Sequence, residues 1–493
     1  MPQADSPNAR ATTDQPPNII VVIADDLAYG DLTCHGNPNA HTPRLDQLHG
    51  QAQRLTHYSS GFLCTPARAM LMTGRYAYRT RAIDTFCGRT TLDPDEVTLA
   101  QLLRNNGYAT CLSGKWHLGD NHPSRPQDLG FDEVLMHLGG GLRQPANPGF
   151  YEDRDAYQDP DLLHNGTLTP HTGYCTDIFT DHAIDFARQH ADQPFFIYLA
   201  YNAPHTPLEV DDQLVEPFRD RLSENHARVA AMVSNIDDNV GKLLDTLDQI
   251  GQADNTLVVF TSDHGPCGSS NHDGQARFNA NLRGGKGSPY DGGVRVPSLW
   301  RFPARFGPPR DVDRIAAPID ILPTVADLAG IAPPQDRTID GVSLTPLLNA
   351  PDEPAFTDAN SRWPDRTLVL QWHRGDHPRP FVNTMTRSQQ FKLVNGIELY
   401  DLDHDPSEST DIAAQHPDTV AALRADYLRW FDDVAHTRPD NFAPPPIHLG
   451  TPHENPTTLN ENDRRIHVDD DWKNPRLTGH WEVLLVPDHA AYT

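Results

Sequence analysis

The chain has 493 residues, with 67 acidic against 40 basic side chains and a formal charge of −27. That length exceeds what one hydrophobic core sustains and predicts a large lobe with a smaller companion. No Lys/Arg-rich run relieves the negative balance, so a nucleic-acid backbone is excluded as a partner, and an anionic substrate must be met by cations gathered inside a pocket.

Six cysteines, at positions 34, 64, 87, 111, 175 and 267, form neither CxxC pairs nor a disulfide-scaffold spacing. Met1 to Arg10 has no apolar signal region and no apolar run approaches a membrane span. The expectation is a soluble cytoplasmic protein, or a periplasmic or secreted one if a leader has been trimmed.

In chain order, a polar lead precedes Asn18 and the β-branched run Ile19 to Ala24, which reads as a strand buried on both faces. It ends in Asp25-Asp26. Adjacent carboxylates repel unless a hard divalent cation sits between them, although such a pair also suits a solvated turn. Phe62 to Arg75 reads as a helix: Pro66 opens the first turn, Ala67 to Met72 is helix-forming, and Gly74 is a stop. Cys64 then lies at the positive end, with Arg68 one turn on along the same side. That places a nucleophile before a charged tetrahedral ester, where a bare buried cysteine would be only a small hydrophobe.

Thr98 to Asn106 aligns Leu99, Leu102 and Leu103 on one helical face, and Gly107 ends it. Tyr108 to Leu112 is the next strand, followed by Ser113-Gly-Lys-Trp-His-Leu-Gly119, which brings Lys115 and His117 to the edge where Asp25 and Asp26 lie. A helix at Asp177 to Gln189 leads to the strand Phe195 to Ala200 and then to His205, stiffly held between Pro204 and Pro207. His226 to Ile250 carries Val229, Met232, Val233, Ile236, Val240, Leu243, Leu244 and Leu247 at helical spacing and is a packing helix. Thr256 to Thr261 is a buried strand that ends in Ser262-Asp263-His264-Gly265. Four strand ends thus deliver Asp25/Asp26, Lys115/His117, His205 and Asp263/His264 to one edge, as in an α/β sheet whose site lies beyond the carboxyl ends of its strands. The glycines of Leu282 to Pro297 let the backbone pass close to a ligand, with Lys286 the charge best placed to touch it.

Several of these motifs together carry a resemblance. Cys64, Pro66, Arg68, Thr73, Gly74 and Arg75 match the CxPxR and TGR signature of the formylglycine-dependent (type I) sulfatases, arylsulfatase-like members of the alkaline phosphatase superfamily. Asp25-Asp26, the GKWHLG stretch, the PHxP loop at His205 and the GGKG segment at Lys286 are similar to further family motifs, in the family's order, across residues 18 to 440. The resemblance implies a large mixed, mostly parallel sheet flanked by helices, spanning 18–350, and a smaller C-terminal α+β domain with an antiparallel sheet, spanning 365–440. Pro351 to Pro364 reads as the linker. The second lobe has strand-like stretches at Leu368 to Trp372, Phe381 to Thr386, Phe391 to Val394 and Glu398 to Leu402. Its helix, Pro417 to Val434, aligns Val420, Leu423, Tyr427, Leu428 and Phe431. Residues 441–493 are loop-rich until Trp481 to Val486 and read as an incomplete extra module.

The implied activity is hydrolysis of sulfate esters, with sulfated carbohydrates as the preferred class and aryl sulfates as surrogates. The implied nucleophile is 3-oxoalanine (formylglycine), made from Cys64 by a formylglycine-generating enzyme. The implied metal is Ca2+, with Mg2+ or another divalent ion as alternatives, at Asp25, Asp26, Cys64, Asp263 and His264. The ion activates one hydroxyl of the hydrated aldehyde; Arg68, Lys115 and Lys286 neutralise the sulfate. Asp263 is the implied proton acceptor, His205 protonates the leaving alcohol, and His117 takes the second hydroxyl proton as sulfate departs. In one departure, many members carry Asn where this chain has His264, which leaves the metal's identity open because calcium prefers oxygen. The rival readings are a phosphoester or phosphonate monoester hydrolase of the same superfamily and, from another class, a non-catalytic calcium-dependent glycan-binding protein. A two-metal phosphatase lacks an evident further ligand set.

Overall fold

The computed structural model describes residues 15–144, 146–147, 155–267, 277–349, 363, 365–375, 377–460, 462–466 and 479–486. Ten strands form the main sheet: β1 (Asn18–Ala24), β2 (Gln53–Tyr58), β3 (Ala109–Lys115), β4 (Glu133–His137), β5 (Asp161–His164), β6 (Thr167–Pro170), β7 (Phe195–Ala200), β8 (Thr256–Ser262), β9 (Ser298–Arg301) and β10 (Arg310–Ala316). Their order is β10-β2-β9-β8-β1-β7-β3-β4-β5-β6. The central strands β8, β1, β7, β3 and β4 run parallel, and β9, β5 and β6 pair antiparallel with their neighbours.

Every residue of β1 is buried, and its side chains alternate between two apolar clusters. Ile19, Val21 and Ile23 face the helices Cys64–Thr73, Leu99–Arg104 and Ile321–Ala329; Ile20, Val22 and Ala24 face Pro43–His49, Cys175–Gln189 and Glu224–Gln249. The period of two in a strand and 3.6 in a helix thus builds three layers, with the sheet in the middle. All eight apolar positions read on the 226–250 helix are buried in it.

β3 extends through Lys115, past the Leu112 at which the sequence reading ended it, because its ladder to β7 runs to Gly114 opposite Ala200. The Cys64–Thr73 helix starts after Leu63 in extended conformation and stops at Gly74, whose φ of +68° lets its N–H reach Met70 O.

A separate antiparallel sheet follows in the order β11 (Leu368–Gln371), β12 (Thr384–Arg387), β13 (Phe391–Val394) and β14 (Glu398–Asp401). The helix Pro417–Ala435 packs on β12 and β13. Val420, Leu423, Tyr427 and Phe431 are covered as expected, but Leu428 is exposed, because one residue beyond Tyr427 the helix has turned about 100° away from the sheet. Leu368, Leu370 and Met385 of the small sheet share an apolar cluster with Phe62, Leu63 and Met70 of the Cys64 region. Below them lies a buried ionic knot. Lys392 Nζ sits 2.7 Å from Asp291 Oδ1 and 2.9 Å from Glu408 Oε1, with Arg387 3.7 Å from Asp291.

Trp363 apart, the linker read at Pro351 to Pro364 falls outside the described residues. The strand-like run at Trp481 to Val486 is realised as Val483–Leu485, paired in parallel with Ile447–Leu449. Among the described residues no helix is long and apolar enough to cross a membrane.

Candidate active site

Because β8, β1, β7 and β3 are adjacent and parallel, their carboxyl ends open on one edge. Ala24 lies opposite Ser262, Ile23 opposite Ala200, and Gly114 opposite Ala200. The next residues along these strands therefore become neighbours although they lie far apart in the chain. Asp26 adopts φ +63° and His117 φ +54°, left-handed turns that redirect their side chains at the strand ends.

Cys64 is the first residue of its helix and is almost completely buried. Its Sγ lies 3.1 Å from His264 Nε2 and 3.5 Å from Asp25 Oδ1. Arg68, one turn later, donates from Nε and Nη2 to Asp263 Oδ2 at 3.2 and 3.0 Å, and from Nη1 to Lys115 O at 3.0 Å and Tyr198 Oη at 3.4 Å. Lys115 Nζ is paired with Asp25 Oδ2, and Lys286 Nζ donates to Asp26 Oδ1 at 2.8 Å. His205 Nε2 is 3.9 Å from Asp26 Oδ2. His264 Nε2 is 3.4 Å from Asp263 Oδ1, and its Nδ1 is 3.4 Å from Asp26 Oδ1.

Burial and the Asp25 carboxylate oppose ionisation of the Cys64 thiol, but Lys115, Lys286 and His264 outweigh them and bring it down to about 5. Burial also opposes charge on Asp25, yet Lys115, His205, Arg68 and Lys286 hold it well below the usual carboxylate range. Asp263 goes the other way, to about 6, through burial and the proximity of Asp25.

The donor set fits a divalent cation. One oxygen, nitrogen or sulfur from each of Asp25, Cys64, Asp263 and His264 falls within a 4.8 Å group, as do atoms of Asp25, Asp26 and His205. His264 Nδ1 lies 2.9 Å from Gly265 O, which only accepts, so Nδ1 carries a proton. Burial opposes charge on the ring, but Asp263 and Cys64 bring it up to about 10, and a cation bound among the carboxylates would take the place of the Nε2 proton. Asp26 Oδ2 is buried without a hydrogen-bond partner. Three carboxylates, Asp25, Asp26 and Asp263, face three permanent cations, Arg68, Lys115 and Lys286. A divalent ion would leave the pocket positive and ready for an ester anion.

His117 sits on the opposite wall, buried, with both ring nitrogens lacking a hydrogen-bond partner. Burial, followed by Lys115 and Arg68, keeps it neutral far below the ordinary histidine range. A Cβ on Gly140 would come within 2.5 Å of His117 Cε1, and one on Gly141 within 3.1 Å of His205 Cε1. Both imidazoles thus lean on the bare backbone of this segment. The structure brings all ten sequence-derived residues together in one largely buried cluster at the carboxyl edge of the sheet.

Sequence reasoning missed Gly140 and Gly141, whose signal was the three-glycine run from Gly139. It also missed Tyr198, and Tyr157, whose hydroxyl donates to His205 O at 2.7 Å while Asn202 donates to Tyr157. An isolated tyrosine carries no comparable signal.

Two family models match the chain: "Sulfatase" over residues 17–331, and "N-sulphoglucosamine sulphohydrolase, C-terminal" over residues 286–426. Human arylsulfatase A is 34% identical over 462 residues, covering 83% of this chain and 87% of its own. The N-acetylgalactosamine-6-sulfatase of Mus musculus is 33% identical over 359 residues, covering 69% of this chain and 67% of its own. Among solved structures, Ps i-CgsB in complex with k-i-k-neocarrahexaose superposes with a TM-score of 0.74 at 31% identity, over 87% of this chain and 94% of that one.

Proposed function

The chain belongs to the sulfatase family and is a sulfuric ester hydrolase; from that premise we propose that it removes sulfate from sulfated saccharides through formylglycine made from Cys64, with a divalent metal. The observation that carries the nucleophile is Cys64 at a helix start, 3.1 Å from His264 and one turn from the buried Arg68. The saccharide class is supported by the names of the relatives and by the oligosaccharide bound to the structural neighbour.

Asp25, Asp26, Asp263 and His264 would hold the cation, which supplies Lewis-acid polarisation and charge; Ca2+ is expected, and the imidazole also suits softer ions. Oxidised Cys64 supplies a hydrated aldehyde, one hydroxyl for attack on sulfur and a second for release of sulfate. Around it Arg68, Lys115 and Lys286 bind the sulfate oxygens and offset the charge that develops during transfer. Asp263 accepts the nucleophile's proton. His205 Nδ1 lies 2.6 Å from Thr206 O and donates to it, which leaves Nε2 as the atom that handles the proton of the departing alcohol. His117, neutral and without a partner, takes the proton that frees sulfate.

The test is sulfate release from a panel of sulfated saccharides beside an aryl sulfate and an aryl phosphate, with protein co-produced with a formylglycine-generating enzyme and Cys64→Ala as control. Release abolished by Cys64→Ala supports the reading. Phosphate release in its place transfers the protein to the phosphoester branch of the superfamily, and saccharide binding without turnover supports a glycan-binding protein.

A further inference from the structure

At the far end of the same sheet, three side chains form a group that the sulfatase chemistry does not use. Glu133 begins β4, His164 ends β5, and His182 lies on the helix Cys175–Gln189. Glu133 Oε1 is 2.6 Å from His164 Nε2 and 3.0 Å from His182 Nε2. One atom from each residue falls within a 4.8 Å group.

The surrounding bonds fix which atoms carry protons. Ser113 Oγ is 2.8 Å from Phe179 O, and because a carbonyl only accepts, the serine hydroxyl points there. His182 Nδ1 lies 3.1 Å from the same Oγ, whose remaining capacity is to accept, so Nδ1 carries the hydrogen; Cys111 Sγ, at 3.8 Å, is a weaker neighbour of that nitrogen. A neutral His182 therefore presents a lone pair at Nε2 to a carboxylate oxygen, two acceptors in contact. A cation between them removes the conflict. Supplying a proton instead would require charging His182, whose ring lies 5.7 Å from that of His164; His164 can meet the carboxylate as a neutral Nε2–H donor. The carboxylate is also oriented: Asn165 Nδ2 donates to Glu133 Oε2 at 3.0 Å, and Asn165 Oδ1 accepts from Val134 N at 2.9 Å. Metal-binding histidines and carboxylates are characteristically held by such outward hydrogen bonds.

We propose that Glu133, His164 and His182 form a second metal site, for Zn2+ or a similar borderline-soft divalent ion. Two imidazoles and a carboxylate are the donor chemistry that such ions select, and the exposed flank of His164 leaves a fourth position to water. A tetrahedral ion needs donors about 3.3 Å apart, which requires only small movements here. Four residues of β4 separate Glu133 from the pocket end of that strand, about 13 Å. The ion is thus structural: it ties the β5–β6 hairpin and the Cys175–Gln189 helix to the edge of the parallel sheet.

The protein is stripped with a chelator, reloaded with Ca2+, and titrated with Zn2+, with bound metal counted by elemental analysis and the unfolding midpoint followed. Wild type and Asp263→Asn should each retain one equivalent of zinc at the second site, and zinc should raise the wild-type midpoint. His164→Ala, at a half-exposed side chain, and Glu133→Gln should lose that equivalent and the shift. Ser113→Ala, which removes the acceptor at His182 Nδ1 together with the bond to Phe179 O and leaves all three proposed ligands in place, should weaken zinc binding about tenfold or more. Absence of zinc from the wild type, or uptake unchanged in both His164→Ala and Glu133→Gln, overturns the proposal.

Discussion

Arg68 has no counterpart in shape among the cations of the pocket. It grips one oxygen of Asp263 through Nε and Nη2 while its third arm holds Lys115 O, so it fixes the geometry of two strand ends as well as supplying charge. Arg68→Lys keeps the charge and loses the fork. We expect kcat/KM on an aryl sulfate to fall about 100-fold with little change in the unfolding midpoint, whereas a loss below about threefold would show the fork to be dispensable. Gly140→Ala tests the opposite wall, where an added methyl meets the His117 ring. Displacing that ring by about 1 Å should lower kcat about 10- to 100-fold, and KM for an aryl sulfate should stay nearly constant. Cys64, Arg68, Lys115 and Asp263 were legible because a charged or nucleophilic residue at a strand or helix end is itself a chemical signal. Gly140 acts by leaving space and Tyr157 by propping a backbone carbonyl, and neither function is written in residue type.

Among the elements, the sequence revealed those whose burial is complete. β1, β7 and β8 are continuous apolar runs, and the Glu224–Gln249 helix has a clear stripe. β2 and β10 escaped because they mix polar and apolar positions towards the margin of the sheet, Gln-Arg-Leu-Thr-His-Tyr and Arg-Asp-Val-Asp-Arg-Ile-Ala, which read equally as loop. The joint between the two sheets was not legible at all, since it pairs Asp291 with Lys392 across 101 residues. There burial opposes ionisation of Asp291, but Lys392 and Arg387 hold its carboxyl far below the usual range. Lys392→Met removes the nearest cation of both Asp291 and Glu408, leaving Asp291 only the more distant Arg387 and Arg295, and should cost about 3–5 kcal/mol in chemical denaturation. A second junction has a pH signature. Asp237 accepts the N–H groups of Arg44 and Leu45 at the start of the Pro43–His49 helix, and burial pushes its carboxyl up to about 6. Its folded pKa is raised, so the folded chain keeps a proton that the unfolded chain releases near pH 4, and the associated stability is lost as pH climbs through about 6. Stability should therefore decline by roughly 1–3 kcal/mol between about pH 4 and 6 from this group, and Asp237→Asn should flatten that part of the profile. An unchanged slope in the variant would assign the effect elsewhere.

For the whole molecule, the positive groups of the pocket sit inside a chain of formal charge −27. A polysulfated substrate approaches against that field, so kcat/KM on a highly sulfated oligosaccharide should rise with salt between about 0.01 and 0.15 M, as screening shortens from about 30 to 8 Å. A singly charged aryl sulfate should respond less, and a fall for the oligosaccharide would indicate a locally positive approach. Under the proposed function, stripping the divalent ion with a chelator should abolish turnover and lower the unfolding midpoint, because the free energy of ion binding to the folded carboxylates is lost. The placement of β1 between β7 and β8 also sets a clock. Asn18 pairs with Thr256, 238 residues later in the chain. At ordinary ribosomal speeds of about 5 to 20 residues per second, β1 leaves the ribosome on the order of 10 to 50 s before its β8 partner is made. Cys64 Sγ comes to rest against Asp25 and, 200 residues later in the chain, His264, so under the proposed function that delay is the interval in which a maturing enzyme would meet the cysteine before its C-terminal neighbours pack on it.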